Sequence, residues 1–166
     1  MATKENLQAA FAGESQANRK YLFFAEKADK EGQPQIARLF RAAAEAETVH
    51  AKNHLTVLEG IKSTADNVKA AVSGENYEFT KMYPDFIKQA KADKDAKAEK
   101  SFTHANAVEE IHHKLYQEAA DALTAGKKLK EGSYYVCPVC GNTVLGSAPE
   151  KCPICATPGK MFKKID

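Results

Sequence analysis

Two phrases of one form, Glu47-Thr-Val-His50 and Glu109-Glu-Ile-His112, constrain this chain more than anything else in it. Each is Glu-x-x-His inside a long stretch of helical periodicity. Residues three apart share a helix face, so each carboxylate and imidazole can grip one metal ion together. Two such phrases on two helices make the inward ligand pattern of bundle cores that hold a pair of iron or manganese ions. The other helices then have to supply the remaining ligands.

The first stretch, Lys4 to about Lys30, puts Leu7, Ala10, Phe11, Ala17, Tyr21, Ala25 and Ala28 on one face at about 100° per residue, with Thr3 as the expected N-cap. Glu14 falls in that stripe, between Phe11 and Tyr21. An acid at the edge of a stripe reaches water. At mid-stripe, burial without a partner is costly, which favours a ligand. Glu31-Gly32-Gln33-Pro34 is a turn, and a second helix runs from about Pro34 to Glu59, stopping at Gly60. Its inward face is Ile36, Phe40, Ala43, Glu47, His50, His54 and Leu58; His54 reads as a hydrogen-bonded core histidine.

Residues 61–74 read as a connection, in which Ser63-Thr-Ala-Asp66 caps a short crossing helix. A third helix is expected from Gly74-Glu75 to about Ala92. Glu75 and Glu78, three apart, head its inner face with Phe79, Met82, Phe86 and Ala90. Acids in a first turn also suit the helix dipole, but these two lie on the apolar side. Pro84 should bend the helix or free the carbonyl of Thr80. The fourth helix spans about Asp95 to Thr124. There Glu109/His112 and Glu110/His113 overlap as alternative pairs. With His112 at the centre, Ser101, Ala105, Val108, Leu115, Tyr116, Ala119 and Leu123 cluster around it, Glu109 sits at the margin, and Glu110 points about 160° away. Glu109 and His112 therefore face the core, and Glu110 and His113 face outward.

From about Ser133 the helical period stops. Cys137-Pro-Val-Cys140 and Cys152-Pro-Ile-Cys155 follow, 11 residues apart. Four thiolates in this spacing mean zinc or iron, and so short a tail needs that metal to fold. The expected architecture is an all-α four-helix bundle over residues 1–131, ferritin-like in its ligand pattern, and a small four-cysteine domain over residues 132–166. Net charge is only +2, from 24 basic and 22 acidic residues, and no basic stripe suggests nucleic acid. No apolar run is long enough for a bilayer, and the first residues lack signal-peptide anatomy. A reducing cytoplasm, where cysteines hold metal in preference to disulfides, is expected.

Seven inward groups then belong to the bundle: Glu14, Glu47, His50, Glu75, Glu78, Glu109 and His112. Five carboxylates in one core demand protons or cations, and two divalent ions satisfy them. An oxygen- and imidazole-rich shell suits iron or manganese. Two metals together can deliver the two electrons that peroxide needs, and a thiolate-bound iron can supply electrons one at a time.

At these residues the chain resembles the rubrerythrin family over essentially its whole length. The resemblance rests on Glu14, Glu47-x-x-His50, Glu75-x-x-Glu78, Glu109-x-x-His112, Gly74-Glu75-Asn-Tyr-Glu78, Met82-Tyr-Pro84 and the paired cysteine knuckles of a rubredoxin-like domain. It implies two iron ions in the helical domain and one on Cys137, Cys140, Cys152 and Cys155. It implies reduction of hydrogen peroxide to water, with electrons from rubredoxin or an NAD(P)H-dependent reductase, in a homodimer or higher homo-oligomer. It also implies that Glu78 and His50 exchange as ligands of one iron, and that Tyr21 and Tyr83 hydrogen-bond carboxylates at the site; aromatic packing is the other reading of both tyrosines. Ala156 stands where rubredoxins commonly have Gly, and Tyr134 or Tyr135 is expected to fill the space of an absent tryptophan. The competing readings are an iron-oxidising, iron-handling bundle and a structural metal protein with a zinc-ribbon tail.

Overall fold

The computed structural model describes residues 2–166; Met1, where the expected helical domain begins, lies outside them. Four long helical stretches and a small three-stranded sheet make up the described residues, so the chain is mostly helical with a sheet region that carries the cysteines. It divides into two compact units, Met1–Lys62 and Ser63–Asp166.

The first unit is a helical hairpin, α1 (Ala2–Lys30) and α2 (Pro34–Val57). Thr3 lies inside α1, which begins one residue earlier than a Thr3 cap allows. Gly32, at φ 71°, turns the chain, and Pro34 opens α2, where its missing N–H costs nothing. The seam uses small residues: Ala25, Ala28, Ala37 and Ala44 are all buried. Alanines let the two backbones approach closely, and Asn18 uses that proximity. Its Nδ2 donates to the carbonyl of Ala44 at 2.7 Å and to Thr48 Oγ1 at 2.9 Å. Tyr21, Phe24 and Phe40 stack at centroid distances of 5.5–6.3 Å near the turn. The stripe expected to face inward on α2 is therefore not the seam: Ile36 and His50 are exposed, while Ala37 and Ala44 are covered.

The second unit holds α3 (Thr64–Tyr77), a π-helical segment (Glu78–Met82), α4 (Tyr83–Ala92), α5 (Ala96–Thr124) and the tail. The third helix thus starts ten residues before the expected Gly74, and the connection shrinks to residues 58–63. Ser63 does cap, its Oγ accepting from the N–H of Asp66 at 3.1 Å; but the helix it opens continues through Gly74. One glycine costs a helix only about 1 kcal/mol, too little to end it. Pro84 has its effect here. It cannot donate to Thr80, and the preceding turn widens until the N–H of Tyr83 reaches the carbonyl of Glu78. The helix does not break. Asp95 caps α5 by accepting from the N–H groups of Lys97 and Ala98. Phe86 and Phe102, 5.5 Å apart, join α4 to α5, and the rings of Phe79 and His113 lie 5.3 Å apart. His113 is half-buried and its Nδ1 lies 3.2 Å from the carbonyl of Val72, so it packs on α3 and does not face water.

In the tail, β1 (Tyr134–Val136) is the central strand, antiparallel to β2 (Thr143–Leu145) and β3 (Lys163–Ile165). Cys137, Cys152 and Phe162 form its buried centre, with Tyr135, Val144 and Ile154 against them. Tyr135 is thus the aromatic residue that fills the core, and Tyr134 points elsewhere. The two knuckles repeat one geometry. The N–H of Cys137 donates to the carbonyl of Asn142 and that of Gly141 to Cys137; the N–H of Cys152 donates to Thr157 and that of Ala156 to Cys152. Gly141 and Ala156 occupy equivalent places with φ of 85° and 60°. A side chain in this left-handed region costs about 1–2 kcal/mol. Ala156→Gly is expected to stabilise the folded tail by about 1 kcal/mol or less, after the entropy that glycine adds to the unfolded chain. Denaturant titration of the thiolate–metal absorption checks this.

Candidate metal centres

Three clusters of ligating side chains occur among the described residues. Glu14, Glu47 and His50 lie in the first unit; Glu75, Glu109 and His112 in the second; the four cysteines in the tail. Within each, one ligand atom per residue lies within 4.8 Å of the others. Donors on one ion, at bonds of about 2.0–2.3 Å, are separated by at most about 4.6 Å, so each set suits a single ion with small adjustment.

The two helical clusters are built alike. His50 Nδ1 lies 2.7 Å from Glu47 Oε2, and His112 Nδ1 lies 2.8 Å from Glu109 Oε2. The three-residue spacing on α2 and α5 produces both. Glu14 on α1 completes the first set, and Glu75 on α3 the second, with Glu75 Oε1 3.9 Å from His112 Nδ1. His50 is 53% exposed and His112 only 28%. The α5 register settles where Glu110 points. Its side chain is 50% exposed and takes a 2.6 Å bond from Lys114 Nζ, which holds its carboxyl below the usual range. The Glu109 side chain is 16% exposed, against His112.

Charge crowding marks the second cluster. Burial, then the Glu109 charge and a hydrogen bond to it, then Glu78, push the Glu75 carboxyl up to about 7. Glu78 is also raised, by burial and by Glu109, with His112 pulling the other way. Glu78 stands beside the cluster without joining it. Burial, then Glu109, Glu78 and Glu75, raise the Tyr83 phenol, which places Tyr83 in the field of these acids; its ring packs on Phe86 and Phe102. Tyr21 packs with Phe24 and Phe40 in the hairpin. A cleft of about 440 Å³ adjoins Glu75 and His112, with Val68, Leu115, Ala119 and Tyr134 in its apolar wall.

One contact was invisible in the sequence. Thr143, on β2 of the tail, places its Oγ1 2.9 Å from His112 Nε2 and donates to the carbonyl of Gly141 at 3.0 Å. Nothing in the spacing of residues 31 apart signals it.

In the tail, Cys137 and Cys155 Sγ lie 3.5 Å apart, as do those of Cys140 and Cys152. A tetrahedron with bonds of about 2.3 Å has edges of about 3.8 Å, so the sulfurs already stand close to a metal's demand. The Thr157 hydroxyl, 3.0 Å from Cys155 Sγ, draws that thiol down to about 6. Burial pushes the Cys140 thiol up.

Family models divide the chain at the same change of character. The model described as rubrerythrin matches residues 5–120, and that of the rubrerythrin rubredoxin-like domain matches residues 135–163. The chain belongs to the rubrerythrin family. It is 37% identical to rubrerythrin-2 of Clostridium acetobutylicum, over 97% of this chain and 95% of that one. It is 37% identical to the rubrerythrin of Porphyromonas gingivalis, over 98% and 90%, and 35% identical to nigerythrin of Nitratidesulfovibrio vulgaris, over 97% and 85%. Among solved structures it is similar to nigerythrin in its mixed-valent and its fully reduced, all-ferrous states. The TM-score is 0.58 in both cases, at 36% identity over 98% of this chain and 86% of that one. The rubrerythrin family supplies a di-iron helical domain and a rubredoxin-like four-cysteine site, and the carboxylate–imidazole and tetrathiolate sets found here have the donor chemistry that iron takes.

Two outcomes follow from the second cluster. Glu109→Ala is expected to lose metal from the helical domain, whereas Glu110→Ala keeps it, read as iron per chain by elemental analysis. Without metal, Glu75 binds its proton more tightly when folded than when unfolded. The folded chain then holds more protons than the unfolded one between the ordinary carboxylate pKa of 4.5 and about 7, so stability is full below that window and falls as pH rises through it. The metal-free chain should therefore melt lower at about pH 8 than at about pH 5, and Glu75→Gln should flatten that difference in thermal melts.

Proposed function

We propose that this chain reduces hydrogen peroxide to water at a di-iron site in residues 1–131, with electrons passed through an iron on Cys137, Cys140, Cys152 and Cys155 in residues 132–166. The observation that carries the reading is the pairing of two like-built Glu–x–x–His clusters with a tetrathiolate set in one chain of the rubrerythrin family. When bound, a pair of irons supplies two electrons together and a tetrathiolate iron one at a time; hydrogen peroxide takes two electrons and two protons to give two waters.

The residues divide the work. Glu14, Glu47, His50, Glu75, Glu109 and His112 hold the metals. Glu78 stands just outside its cluster at the start of the π-helical segment, where a widened turn loosens the helical register. That position suits a carboxylate that exchanges with His50 as a ligand. Tyr83, its proton held more tightly by burial and the nearby acids, is placed to keep a hydroxyl donor facing carboxylate oxygens. Tyr21 is assigned the matching role, with packing in the aromatic cluster as its other one. The apolar wall beside Glu75 and His112 limits water and so strengthens every charge interaction there.

The electron donor in this reading is rubredoxin or an NAD(P)H-dependent reductase. Val139, between the first two cysteines and 60% exposed, offers such a donor apolar surface close to the sulfurs. The working form is a homodimer or larger homo-oligomer in the cytoplasm; no helix among the described residues is long and apolar enough to cross a membrane.

Cys137→Ser is expected to leave the helices folded, by circular dichroism, while peroxide consumption driven by NADH and an added reductase falls to background. Unchanged turnover would reject the wiring. A wild-type chain that oxidises Fe(II) but consumes no peroxide would favour iron handling.

A further inference from the structure

We propose that Thr143 is a positioning residue for His112. Its hydroxyl fixes the imidazole as the Nε2–H tautomer, aims Nδ1 at Glu75 and Glu109, and clips the four-cysteine tail to α5. The assignment rests on the reading of Glu75, Glu109 and His112 as metal ligands.

Proton counting carries the argument. A threonine hydroxyl has one hydrogen. Here it is donated to the carbonyl of Gly141, 3.0 Å away. Toward His112 Nε2, at 2.9 Å, the oxygen can then only accept. Nε2 must carry a hydrogen, and a neutral imidazole has only one. Nδ1 is therefore bare, 2.8 Å from Glu109 Oε2 and 3.9 Å from Glu75 Oε1. A bare nitrogen facing carboxylates is the arrangement a cation would hold together. Ligand histidines usually donate their second N–H to an oxygen that sets ring and tautomer; here that oxygen comes from a different domain of the chain.

The backbone around Thr143 is arranged for this. Gly141, at φ 85°, turns its carbonyl within reach of the hydroxyl, and it lies so close to α5 that an added Cβ would sit 3.6 Å from Val108 Cγ1. Val108 is buried at 2% exposure, one turn before His112. Tyr134, on the strand paired with β2, joins Leu115 and Ala119 of α5 in the cleft wall. The tail is thus seated along α5 with Thr143 at the imidazole. The carbonyl that takes the Thr143 proton belongs to the residue directly after Cys140, so a continuous bonded path runs from a tail ligand to a helical one. His50, in the like-built first cluster, is more exposed than His112 and has no such clip among the described residues.

Two substitutions in the full-length chain test the assignment. Thr143→Val keeps the shape and removes the hydroxyl; Thr143→Ser keeps the hydroxyl. In anaerobic Fe(II) titrations, Thr143→Val should weaken binding at the helical site by about 10- to 100-fold, the usual effect of losing a partner behind a ligand, and Thr143→Ser should bind nearly as wild type. In the zinc-loaded chain with ¹⁵N-labelled histidine, a slowly exchanging Nε2–H of His112 should appear in wild type and Thr143→Ser and be absent in Thr143→Val. Trypsin should also cut the Lys127–Lys130 segment faster in Thr143→Val. A Thr143→Val chain with wild-type affinity and an unchanged His112 signal would overturn the assignment, as would a Thr143→Ser chain that behaves like Thr143→Val. Peroxide turnover is read separately: a wild-type chain idle with peroxide sinks the peroxidase reading, while titration and spectrum still decide the role of Thr143.

Discussion

Repulsion among acids held close together on half-buried helix faces governs this molecule. Glu75 and Glu109 approach closely enough to share a hydrogen bond, with Glu78 and the Tyr83 phenol in the same field. Left alone, such a group lowers its energy by retaining a proton, as the raised Glu75 shows. Supplied with a cation, it gives that proton up, and metal uptake becomes coupled to proton release. The helices contribute little to resolving the conflict themselves. Their buried cores are small residues, Ala25, Ala28, Ala37 and Ala44 in one unit, Ala90 and Val108 in the other.

The tail meets the same physical problem with a different donor. Its sulfurs are gathered by two copies of one backbone turn before any charge is considered, and hydrogen bonds within the knuckles grade the thiols unequally. The carboxylate clusters rely on helix spacing; the thiolate cluster relies on tight turns. Thr143 is where the two constructions meet, since its hydroxyl belongs to the turn geometry of one and to the imidazole of the other.

Most of this could be read from residues in order, because helix periodicity is a local property. The turn at Gly32, the cap at Asp95, and the outward aim of Glu110 all follow from spacing on a single element. What could not be read was set by packing. The seam of the α1–α2 hairpin runs through alanines and leaves Ile36 exposed, because close backbone approach outweighed side-chain size. Gly74 looked like a helix start and is a helix interior. His113 looked solvent-facing on a wheel drawn for α5 alone, but Phe79 and the Val72 carbonyl of α3 take it in. Thr143 is silent in the sequence, since a threonine after a cysteine knuckle has no pattern that points to a histidine 31 residues earlier.

The π-helical segment at Glu78–Met82 has a consequence for how this chain tolerates change in length. A π turn holds one residue more than the α-helical ladder it interrupts. Deleting a single residue there would let the ladder close without a gap, yet rotate everything after it by about 100°. Phe86 and Ala90 would swing off α5, while Glu75 stayed where it was. In this stretch a deletion that tidied the backbone would unseat the packing, so the irregular turn acts as a ratchet that keeps its extra residue.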